Sequence, residues 1–422
     1  MNISELHKLF LTSSGINTDT RTIKENELFF SLSGDNFNGN KFAQQAIDKG
    51  AKYAVIDDKD YETENTILVS NTLETLQDLA RYHRNQLSCP IIALTGSNGK
   101  TTTKELINAV LKTSYKTSAT IGNLNNHIGV PLTLLRMHKD TEIGIVEMGA
   151  NHLKEIEFLC NIAQPDYGYI TNFGKAHLEG FGSLEGVIKG KSELYAYLKN
   201  KNKSAFIDLD NNKQVTQASN INHITFSQTK KSYINCKFID ANPNVRVAFD
   251  DSVIHSNLIG SYNFTNISAA ICIGKYFKVS DNNIKNAIEN YIPTNNRSQI
   301  VEKNSNKIIL DAYNANPTSM RAALENFNRL EAKHKTVFIG DMFELGADSE
   351  KEHQDIVNYI KTLKIDSVYI LGKQFNKTTH SNIQAFVDFN DFKEQFKTKI
   401  SNSTILIKGS RGMALERIID IL

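Results

Sequence analysis

The stretch at 90–104 constrains the fold of this chain more than any other: Pro-Ile-Ile-Ala-Leu-Thr-Gly-Ser-Asn-Gly-Lys-Thr-Thr-Thr-Lys. The apolar run from Ile91 to Leu94 predicts a buried parallel strand, and Thr95 to Thr101 predict a glycine-rich loop. From Thr102 onward, apolar side chains recur on one helical face. Strand, loop and helix in this order predict a phosphate-binding loop within a parallel sheet.

This loop has the residues that bind a nucleoside triphosphate. Gly96 and Gly99 allow a tight turn that directs backbone N–H groups at an anion, and the helix dipole adds positive potential there. Lys100 can reach the β- and γ-phosphates, and the Thr101 hydroxyl can bind Mg²⁺. Only two residues separate the glycines, so the loop is a shortened form of G-x-x-x-x-G-K-[ST]. The alternative is an ordinary strand-to-helix turn.

The chain of 422 residues is too long for one hydrophobic core, and its patterns predict three α/β domains. We expect a small α/β domain over 1–88 and a central phosphate-loop domain over 89–292. The central domain should combine a parallel sheet with a small antiparallel β region at 229–259. Over 293–422, alternating strand and helix patterns predict a Rossmann-like domain. Its helices are expected at 318–329, 349–363 and 412–421.

Charge and composition argue against several classes of protein. The net charge of +2 disfavours a general role in binding nucleic acids or membrane surfaces. No run approaches the ~20 apolar residues of a membrane span, and the first residues lack the apolar core of a signal peptide. The four cysteines show no C-x-x-C spacing, so neither a disulfide framework nor a zinc site is expected. We therefore expect a soluble cytoplasmic protein.

Two polar residues follow further apolar runs in the central part of the chain. Glu147 lies in the run that begins at Ile143, and His177 follows the run from Tyr167 to Thr171. Ligands bind at the carboxyl ends of parallel strands, so a carboxylate there could hold Mg²⁺. The alternative for each is a side chain in solvent. Lys191 lies within a predicted helix. Its spacing does not distinguish it from a lysine that is exposed to solvent on that helix.

Other polar residues suit a nucleotide or a carboxylate. Asn263 and Asn266 share one helical face, where their amides could bind an adenine edge, although Asn263 could also cap the helix. Asp311 ends a predicted strand and could bind a ribose hydroxyl. Arg297 could reach a phosphate, and the Lys-Gly-Ser-Arg segment at 408–411 could bind a carboxylate.

These residues belong to segments that resemble one known family, the Mur ligases of peptidoglycan synthesis. The matching segments span the chain in order: Asp-Thr-Arg (19–21), Thr-Gly-Ser-Asn-Gly-Lys-Thr-Thr (95–102), Gly-Asn-Leu-Asn-Asn-His-Ile-Gly-Val-Pro (122–131), Glu-Met-Gly-Ala-Asn-His (147–152), Ala-His-Leu-Glu-Gly-Phe-Gly (176–182), Tyr-Asn-Phe-Thr-Asn (262–266), Asp-Ala-Tyr-Asn-Ala-Asn-Pro-Thr-Ser-Met (311–320), Gly-Asp-Met-Phe-Glu-Leu-Gly (340–346) and Lys-Gly-Ser-Arg (408–411). Two features depart from the family: Tyr262 replaces a usual histidine, and 201–260 matches poorly.

The resemblance implies ATP-driven amide bond formation. A peptide carboxylate would attack the γ-phosphate to give an acyl phosphate and ADP, and an amine would then displace phosphate. The implied substrates are UDP-N-acetylmuramoyl-tripeptide, held by the first domain, and D-Ala-D-Ala, held by the last, in a monomeric enzyme. Two alternatives are relatives that add a single amino acid to a UDP-muramoyl dipeptide or glutamate to folate. A nucleotide switch is a third, but it would leave Glu147, His177 and Lys191 unexplained.

The resemblance also assigns roles to residues. Lys100, His177 and Lys191 would be catalytic; Thr101 and Glu147 would hold one Mg²⁺. His177 would hold a second Mg²⁺ together with Lys191, carbamylated by CO₂. The implied ATP contacts are Gly96, Asn98, Gly99, Lys100, Thr101, Thr102, Asn263, Asn266, Arg297 and Asp311. The implied substrate contacts are Thr20 and Arg21 for UDP, Asn125 and Asn126 for the muramoyl peptide, and Asn314, Asn316, Lys408, Ser410 and Arg411 in the last domain.

Overall fold

The strands form three sheets within residues 1–294 and 296–422, the part of the chain that the computed structural model describes. Each sheet is predominantly parallel or wholly parallel and is packed against helices. The three-part α/β fold expected from the sequence is confirmed. Within the described residues, no helix is both long enough and apolar enough to span a bilayer.

The N-terminal sheet has four short parallel strands in the order β1-β2-β3-β4. The strands are β1 (Ile16–Asn17), β2 (Leu28–Phe30), β3 (Tyr53–Ile56) and β4 (Thr66–Leu68), and the helices are α1 (Ile3–Leu11), α2 (Ala43–Asp48) and α3 (Thr72–Gln86). Asn2 begins α1 with a capping box, because its side chain accepts from the backbone of Glu5 and the Glu5 side chain accepts in return.

Helix α3 joins the N-terminal sheet to the central one. Arg84, in its last turn, donates from Nε to the carbonyl oxygen of Ala163 at 3.0 Å and pairs with Asp166 at 2.9 Å. The arginine is buried, and Asp166 also accepts the N–H of Ile91 at the start of the strand before the phosphate loop. The ion pair between Arg84 and Asp166 therefore links α3 to the strand that precedes the phosphate loop.

The central sheet has nine strands in the order β13-β12-β11-β10-β9-β8-β5-β7-β6. The strands are β5 (Ile91–Thr95), β6 (Thr117–Ala119), β7 (Ile143–Glu147), β8 (Tyr167–Ile170), β9 (Ser204–Asp208), β10 (Asn222–Ser227), β11 (Ile234–Ala241), β12 (Asn244–Phe249) and β13 (Ser252–Ile259). The helices are α4 (Lys100–Leu111), α5 (Gly129–Leu134), α6 (Glu155–Ala163), α7 (Leu178–Phe181), α8 (Leu184–Asn200), α9 (Asn212–Gln217), α10 (Asn263–Tyr276) and α11 (Asp281–Glu289).

Strand β5 is fully buried between β7 and β8 and is parallel to both. Its side chains alternate between two hydrophobic clusters, one on each face of the sheet, which is why the strand reads as a continuous apolar run. The antiparallel region predicted at 229–259 is confirmed as β11, β12 and β13. The phosphate loop, Glu147 and the loop of His177 consequently share one edge of the sheet.

The C-terminal sheet has six strands in the order β14-β15-β19-β16-β17-β18, and only β14 is antiparallel to its neighbour. The strands are β14 (Gln299–Lys303), β15 (Asn306–Asp311), β16 (Lys335–Gly340), β17 (Ser367–Leu371), β18 (Gln384–Phe386) and β19 (Thr404–Lys408), and the helices are α12 (Pro317–Arg329), α13 (Ser349–Ile360) and α14 (Phe389–Gln395). Strand β19 inserts between β15 and β16, which places Asp311 and Lys408 side by side.

Two local predictions were wrong. The helix expected at 412–421 is instead a pair of 3₁₀ segments, Arg411–Met413 and Leu415–Asp420, because Ala414 between them has a left-handed backbone with φ 47°. Asn263 does not cap α10: Tyr262 occupies that position, and the Asn263 amide donates to the carbonyl oxygen of Ile259 at 2.8 Å.

Candidate active site

A cavity of about 370 Å³ lies between the central and C-terminal sheets. It collects residues from the central and C-terminal parts of the chain, because the carboxyl ends of the central strands face the ends of β15 and β19, which carry Asp311 and Lys408. The sequence-predicted residues in its wall are Asn98, Gly99, Lys100, Thr101, Thr102, Asn125, Glu147, His177, Asn263, Asn266, Arg297, Asp311, Asn314 and Lys408.

The phosphate loop depends on both of its glycines. Gly96 has φ +139°, and a Cβ there would lie 2.0 Å from Oγ1 of Thr171. Gly99 has φ +79°, and a Cβ there would lie 2.7 Å from Oδ1 of Asn266. Helix α4 begins directly after Gly99, so its unpaired N–H groups lie at the cavity. The local structure therefore suits an anion.

Lys100 is the first residue of α4, and its side chain folds back onto the phosphate loop. Its ammonium donates to the carbonyl oxygen of Gly96 at 2.7 Å. Burial lowers the pKa of Lys100, Glu147 opposes the shift, and Arg297 adds to it. Two cations and one carboxylate therefore act on the same small volume, which suits a polyanionic ligand.

Glu147 is nearly fully buried, with 1 % of its surface exposed. Its Oε1 accepts from Oγ1 of Thr101 at 3.2 Å and from Nδ2 of Asn125 at 2.8 Å. Its Oε2 has no hydrogen-bond partner among the described residues, and the ammonium of Lys104 lies 4.0 Å away. A buried acceptor oxygen beside a hydroxyl at the phosphate loop fits the oxygen ligands that Mg²⁺ prefers.

The described residues contain no group of three or more His, Cys, Asp and Glu side chains arranged to hold a metal ion by themselves. Mg²⁺ commonly binds through one or two protein oxygens and completes its coordination with water and substrate phosphates. Thr101 and Glu147 provide a set of that kind.

His177 lies in the loop before α7 with φ 52°, a conformation uncommon for a residue with a side chain. Its Nδ1 contacts a carboxylate oxygen of Glu344, which belongs to the C-terminal part of the chain. Contact with His177 lowers the pKa of the Glu344 carboxyl, although Nδ1 of His177 has no aligned hydrogen-bond partner among the described residues. The structure thus places His177 at the cavity and in contact with a second part of the protein.

Lys191 is fully buried on α8, so the interpretation as a solvated lysine was wrong. Its Nζ donates to the carbonyl oxygen of Ala150 at 2.8 Å and lies 5.0 Å from the ring centroid of Phe181. Burial lowers its pKa far below the ordinary lysine value, and Lys100 adds to the shift. Lys191 lies behind the cavity wall rather than in it.

Asn263 and Asn266 are buried at the start of α10 and contact each other. Nδ2 of Asn266 donates to Oδ1 of Asn263 at 2.7 Å, and Oγ1 of Thr103 donates to Oδ1 of Asn266 at 3.0 Å. The pair therefore joins α10 to α4 directly behind the phosphate loop, with its amides in the cavity wall.

Asp311 and Arg297 bring the C-terminal sheet to the cavity. Lys408 pairs with Asp311 at 2.6 Å and also donates to the carbonyl oxygen of Asn314 at 3.3 Å. The guanidinium carbon of Arg297 lies 3.7 Å from the ring centroid of Tyr313. The Nε of Arg297 is buried and has no hydrogen-bond partner among the residues described. This part of the cavity wall combines the Asp311 carboxylate, whose charge is balanced by Lys408, with the Arg297 guanidinium, a donor suited to a phosphate.

Several predicted substrate contacts lie away from this cavity. Thr20 and Arg21 are exposed or half-buried on the N-terminal unit, where Thr20 bonds to Gln45 and Arg21 pairs with Asp19. Arg411 is exposed and pairs with Glu416 at 2.7 Å.

Three further predicted contacts have structural partners. The side chain of Asn126 accepts the backbone N–H of Gly129 at 2.9 Å, at the start of α5. Oγ of Ser410 accepts the N–H of Phe343 at 2.9 Å. Asn316 caps α12, and its Nδ2 donates to Oδ1 of Asn98 in the phosphate loop at 2.7 Å.

Asn172 was missed from the sequence. Its Oδ1 accepts the N–H of Asn98 at 3.1 Å, and its Nδ2 donates to the carbonyl oxygen of Asn98 at 2.9 Å, so it holds the centre of the phosphate loop. The signal was present, because Asn172 directly follows the apolar run ending at Thr171 and hence lies at the carboxyl end of β8.

Three family models match the chain in succession. The Mur ligase family catalytic domain matches residues 12–84, the Mur ligase middle domain matches 94–274, and the Mur ligase glutamate ligase domain matches 296–411.

Curated relatives and solved structures agree with these matches. The UDP-N-acetylmuramoyl-tripeptide–D-alanyl-D-alanine ligase of Bacillus subtilis is 34% identical over 97% of this chain and 93% of its own length. The protein of the same name from Escherichia coli is 32% identical over 99% and 95%.

Two crystal structures have the same fold over nearly their whole length. MurF from Acinetobacter baumannii superposes with a TM-score of 0.84 at 27% identity, covering 98% of this chain and 97% of that one. The MurF ligase from Thermotoga maritima in complex with ADP gives 0.82 at 26% identity, with the same coverage. With family models, full-length relatives and fold in agreement, this chain belongs to the Mur ligase family.

Proposed function

We propose that this chain is an ATP-dependent ligase that joins D-alanyl-D-alanine to UDP-N-acetylmuramoyl-tripeptide in peptidoglycan precursor synthesis. The observation that carries the proposal is the cavity in which the phosphate loop, buried Glu147 and Asp311 of the C-terminal sheet meet. Relatives with that activity in their names match nearly the full chain, which supports this choice over a ligase that adds one amino acid.

The first step is transfer of the γ-phosphoryl group of ATP to the terminal carboxylate of the acceptor peptide. Carboxylate and triphosphate repel each other, so the protein must neutralise charge and hold the two groups in line. Lys100 and the N–H groups at the start of α4 are placed for this task. We assign the phosphates to this loop, with Asn98 and Thr102 in its wall.

Divalent cations would lower the repulsion between the reacting anions when bound. Thr101 and Glu147 are placed to hold one of them, because their oxygens adjoin each other at the phosphate loop. We assign His177 and Lys191 to a second, with Lys191 present as a carbamate. In that modification the neutral amine forms an N–C bond to CO₂ and loses a proton, so a buried cation becomes an anionic oxygen ligand.

The remaining roles follow the placement of the side chains. We assign adenine to Asn263 and Asn266, and ribose and phosphate to Asp311 and Arg297. We assign Asn125, which is bonded to Glu147, to the path of the acceptor peptide.

We propose that the region 1–88 binds the UDP part of the acceptor through Thr20 and Arg21, while 89–292 binds ATP. The region 293–422 would receive the dipeptide, with Asn314 in the cavity wall and Arg411 outside it. Lys408 is less suited to the dipeptide than its sequence position implied, because its ammonium is engaged by Asp311.

The second step is attack of the dipeptide amine on the acyl phosphate, with release of phosphate. An acyl phosphate hydrolyses readily, so the site must exclude water. We propose that the cavity between the central and C-terminal sheets supplies this shelter when the two are docked.

The decisive experiment is phosphate release from ATP with Mg²⁺ and UDP-N-acetylmuramoyl-tripeptide, with D-Ala-D-Ala added last. Release that requires the dipeptide, with a product heavier by the dipeptide less water, is the expected result. Turnover only with UDP-muramoyl-dipeptide and a single amino acid would assign the chain to a sister ligase. Nucleotide binding without product from any peptide would overturn the catalytic proposal.

A further inference from the structure

Lys104 is a buried lysine of α4 that has no part in the proposed function. Only 3% of its side chain is exposed, and its ammonium donates to two backbone carbonyl oxygens, that of Thr120 at 2.8 Å and that of Gly122 at 3.2 Å. Lys104 lies outside the wall of the phosphate-loop cavity and lines a second cavity, of about 560 Å³, beside the edge strand β6. Its ammonium therefore acts on the site from behind.

The first contact of Lys104 leads to the backbone of Glu147. Thr120 accepts from Lys104 with its carbonyl oxygen and accepts the N–H of Glu147 with its Oγ1, at 3.0 Å. The N–H of Thr120 donates to the carbonyl oxygen of Ile145 in β7, also at 3.0 Å. Thr120 thus joins the ammonium of Lys104 to the strand end that carries Glu147.

The second contact leads to the side chain of Glu147. Gly122, whose carbonyl oxygen accepts from Lys104, begins the short loop that ends at Asn125. The carbonyl oxygen of Asn125 accepts the N–H of Gly149 at 2.7 Å, and its Nδ2 donates to Oε1 of Glu147 at 2.8 Å. The loop is therefore held at both ends, with the Asn125 amide placed on the carboxylate.

The third contact is an ion pair without a hydrogen bond. The ammonium of Lys104 lies 4.0 Å from Oε2 of Glu147 and 3.8 Å from Oε1 of Glu105. Because Lys104 and Glu147 are both buried, water and salt screen their attraction little. Lys104 attracts Oε2, while Thr101 and Asn125 donate to Oε1. These opposed contacts restrict rotation of the carboxylate.

We propose that Lys104 is a positioning residue: from outside the cavity, it holds Glu147 so that Oε1 stays beside the hydroxyl of Thr101. The three contacts reach the backbone, the amide partner and the charge of the same glutamate. Partners behind a cation ligand set its orientation, and their loss weakens cation binding. This inference rests on the proposed function, which assigns a divalent cation to Thr101 and Glu147.

The chain offers a matched control for this inference. Lys116 lines the same second cavity, but 72% of its side chain is exposed, and it pairs with Asp140 at 3.3 Å. Lys116→Met removes a lysine from the wall of that cavity and leaves both carbonyl contacts of Lys104 in place.

The test measures how much Mg²⁺ tightens the binding of a non-hydrolysable ATP analogue, by calorimetric titration of the full chain in Mg²⁺ and in EDTA. We expect Lys104→Met to lower this gain in affinity about 10-fold. Thr120→Val keeps Lys104 but removes the hydroxyl that accepts the Glu147 N–H, and it should lower the gain by less. Lys116→Met should match the parent.

A second background shows whether Lys104 acts through Glu147. In Glu147→Gln the gain should be small, and adding Lys104→Met should not lower it further. A further loss in the double variant would overturn the positioning role. A parent-like gain in Lys104→Met, or in Thr120→Val if Lys104→Met does not fold, would overturn it as well.

Two other outcomes have distinct meanings. A larger gain in Lys104→Met than in the parent would overturn the positioning role, because it would show that Lys104 only repels the divalent cation. A parent-like gain in Glu147→Gln would instead overturn the assignment of the cation to Glu147 in the proposed function.

Discussion

Lys408 and Asp311 lie side by side on adjacent parallel strands, with Nζ and Oδ2 separated by 2.6 Å. The lysine is almost fully buried and the aspartate is partly exposed to the cavity. In the proposed function, Asp311 binds a ribose hydroxyl and must keep a fixed position next to a triphosphate. Lys408 would then offset the repulsion between the Asp311 carboxylate and the phosphates.

Lys408→Met should therefore weaken nucleotide binding and lower the free energy of unfolding by about 3 kcal/mol, at the low end for a broken buried pair because Asp311 is partly exposed. Urea unfolding and calorimetric titration with ADP measure the two effects. Adding Asp311→Asn should recover part of the stability, since it removes the unpaired charge. Stability of Lys408→Met equal to that of the parent would contradict the pairing.

Lys100→Ala should reduce phosphate release by a factor on the order of 10³, because a positioned donor to the transferring phosphoryl group is lost. The free energy of unfolding of this variant should not fall. Burial lowers the pKa of Lys100, so the substitution removes a cation that is unfavourably desolvated in the folded state. The control is Lys112→Ala, at the exposed end of the same helix. An unaltered rate in Lys100→Ala would refute the phosphate-loop assignment.

Lys191→Ala should abolish turnover, and high bicarbonate or acetate should restore part of it by supplying a free carboxylate in place of the carbamate. Rates with and without added bicarbonate measure the rescue. The matched variant is Lys189→Ala, which removes an exposed lysine on the same helix and should remain active. Full activity of Lys191→Ala in bicarbonate-free buffer would rule out the carbamate.

Two aspartates near the end of β9 should give opposite pH dependences of stability. Burial raises the pKa of Asp208 to about 6, from an ordinary 3.8. The folded state therefore holds this proton more tightly than the unfolded state, and its contribution to stability is lost as pH rises from about 4 to 6. Asp208→Asn should remove that loss and stabilise the protein at pH 7 by about 3 kcal/mol.

Asp210 is the control for this pH experiment. Burial raises the pKa of Asp210, but hydrogen bonds from Thr229, Gln228 and Ser227 outweigh it, so the pKa is lowered overall. Its contribution is present above the unfolded pKa and is lost as pH falls, so Asp210→Asn should destabilise the protein at pH 7. Urea unfolding from pH 4 to 8 measures both variants, and shifts of the same sign would contradict the assignment.

Local sequence was sufficient for the phosphate loop and for the strands beside it. Gly96 and Gly99 need backbone conformations that other residues avoid, so they mark the loop without any tertiary information. Glu147 was placed correctly at a strand end because a buried parallel strand is a short apolar run with a clear terminus. Such features depend on a few consecutive residues.

Periodicity was insufficient where the chain leaves a repeating conformation. The apolar pattern at 412–421 has a helical spacing, but the left-handed Ala414 divides it into two 3₁₀ segments. The burial of Lys191 could not be predicted, because the residues next to it in sequence do not show that the carbonyl oxygen of Ala150 will accept a hydrogen bond from its ammonium.

The type of each unit, the glycine-rich loop and the strand ends at which polar residues lie could be predicted from short stretches of sequence, since these features follow from backbone sterics and hydrophobic spacing. Which strand ends meet depends on how the sheets pack. The order β15-β19-β16 pairs Lys408 with Asp311, and docking of the C-terminal sheet brings Glu344 to His177. Both contacts join residues far apart in the chain, and packing of whole sheets, rather than any local pattern, sets their distances.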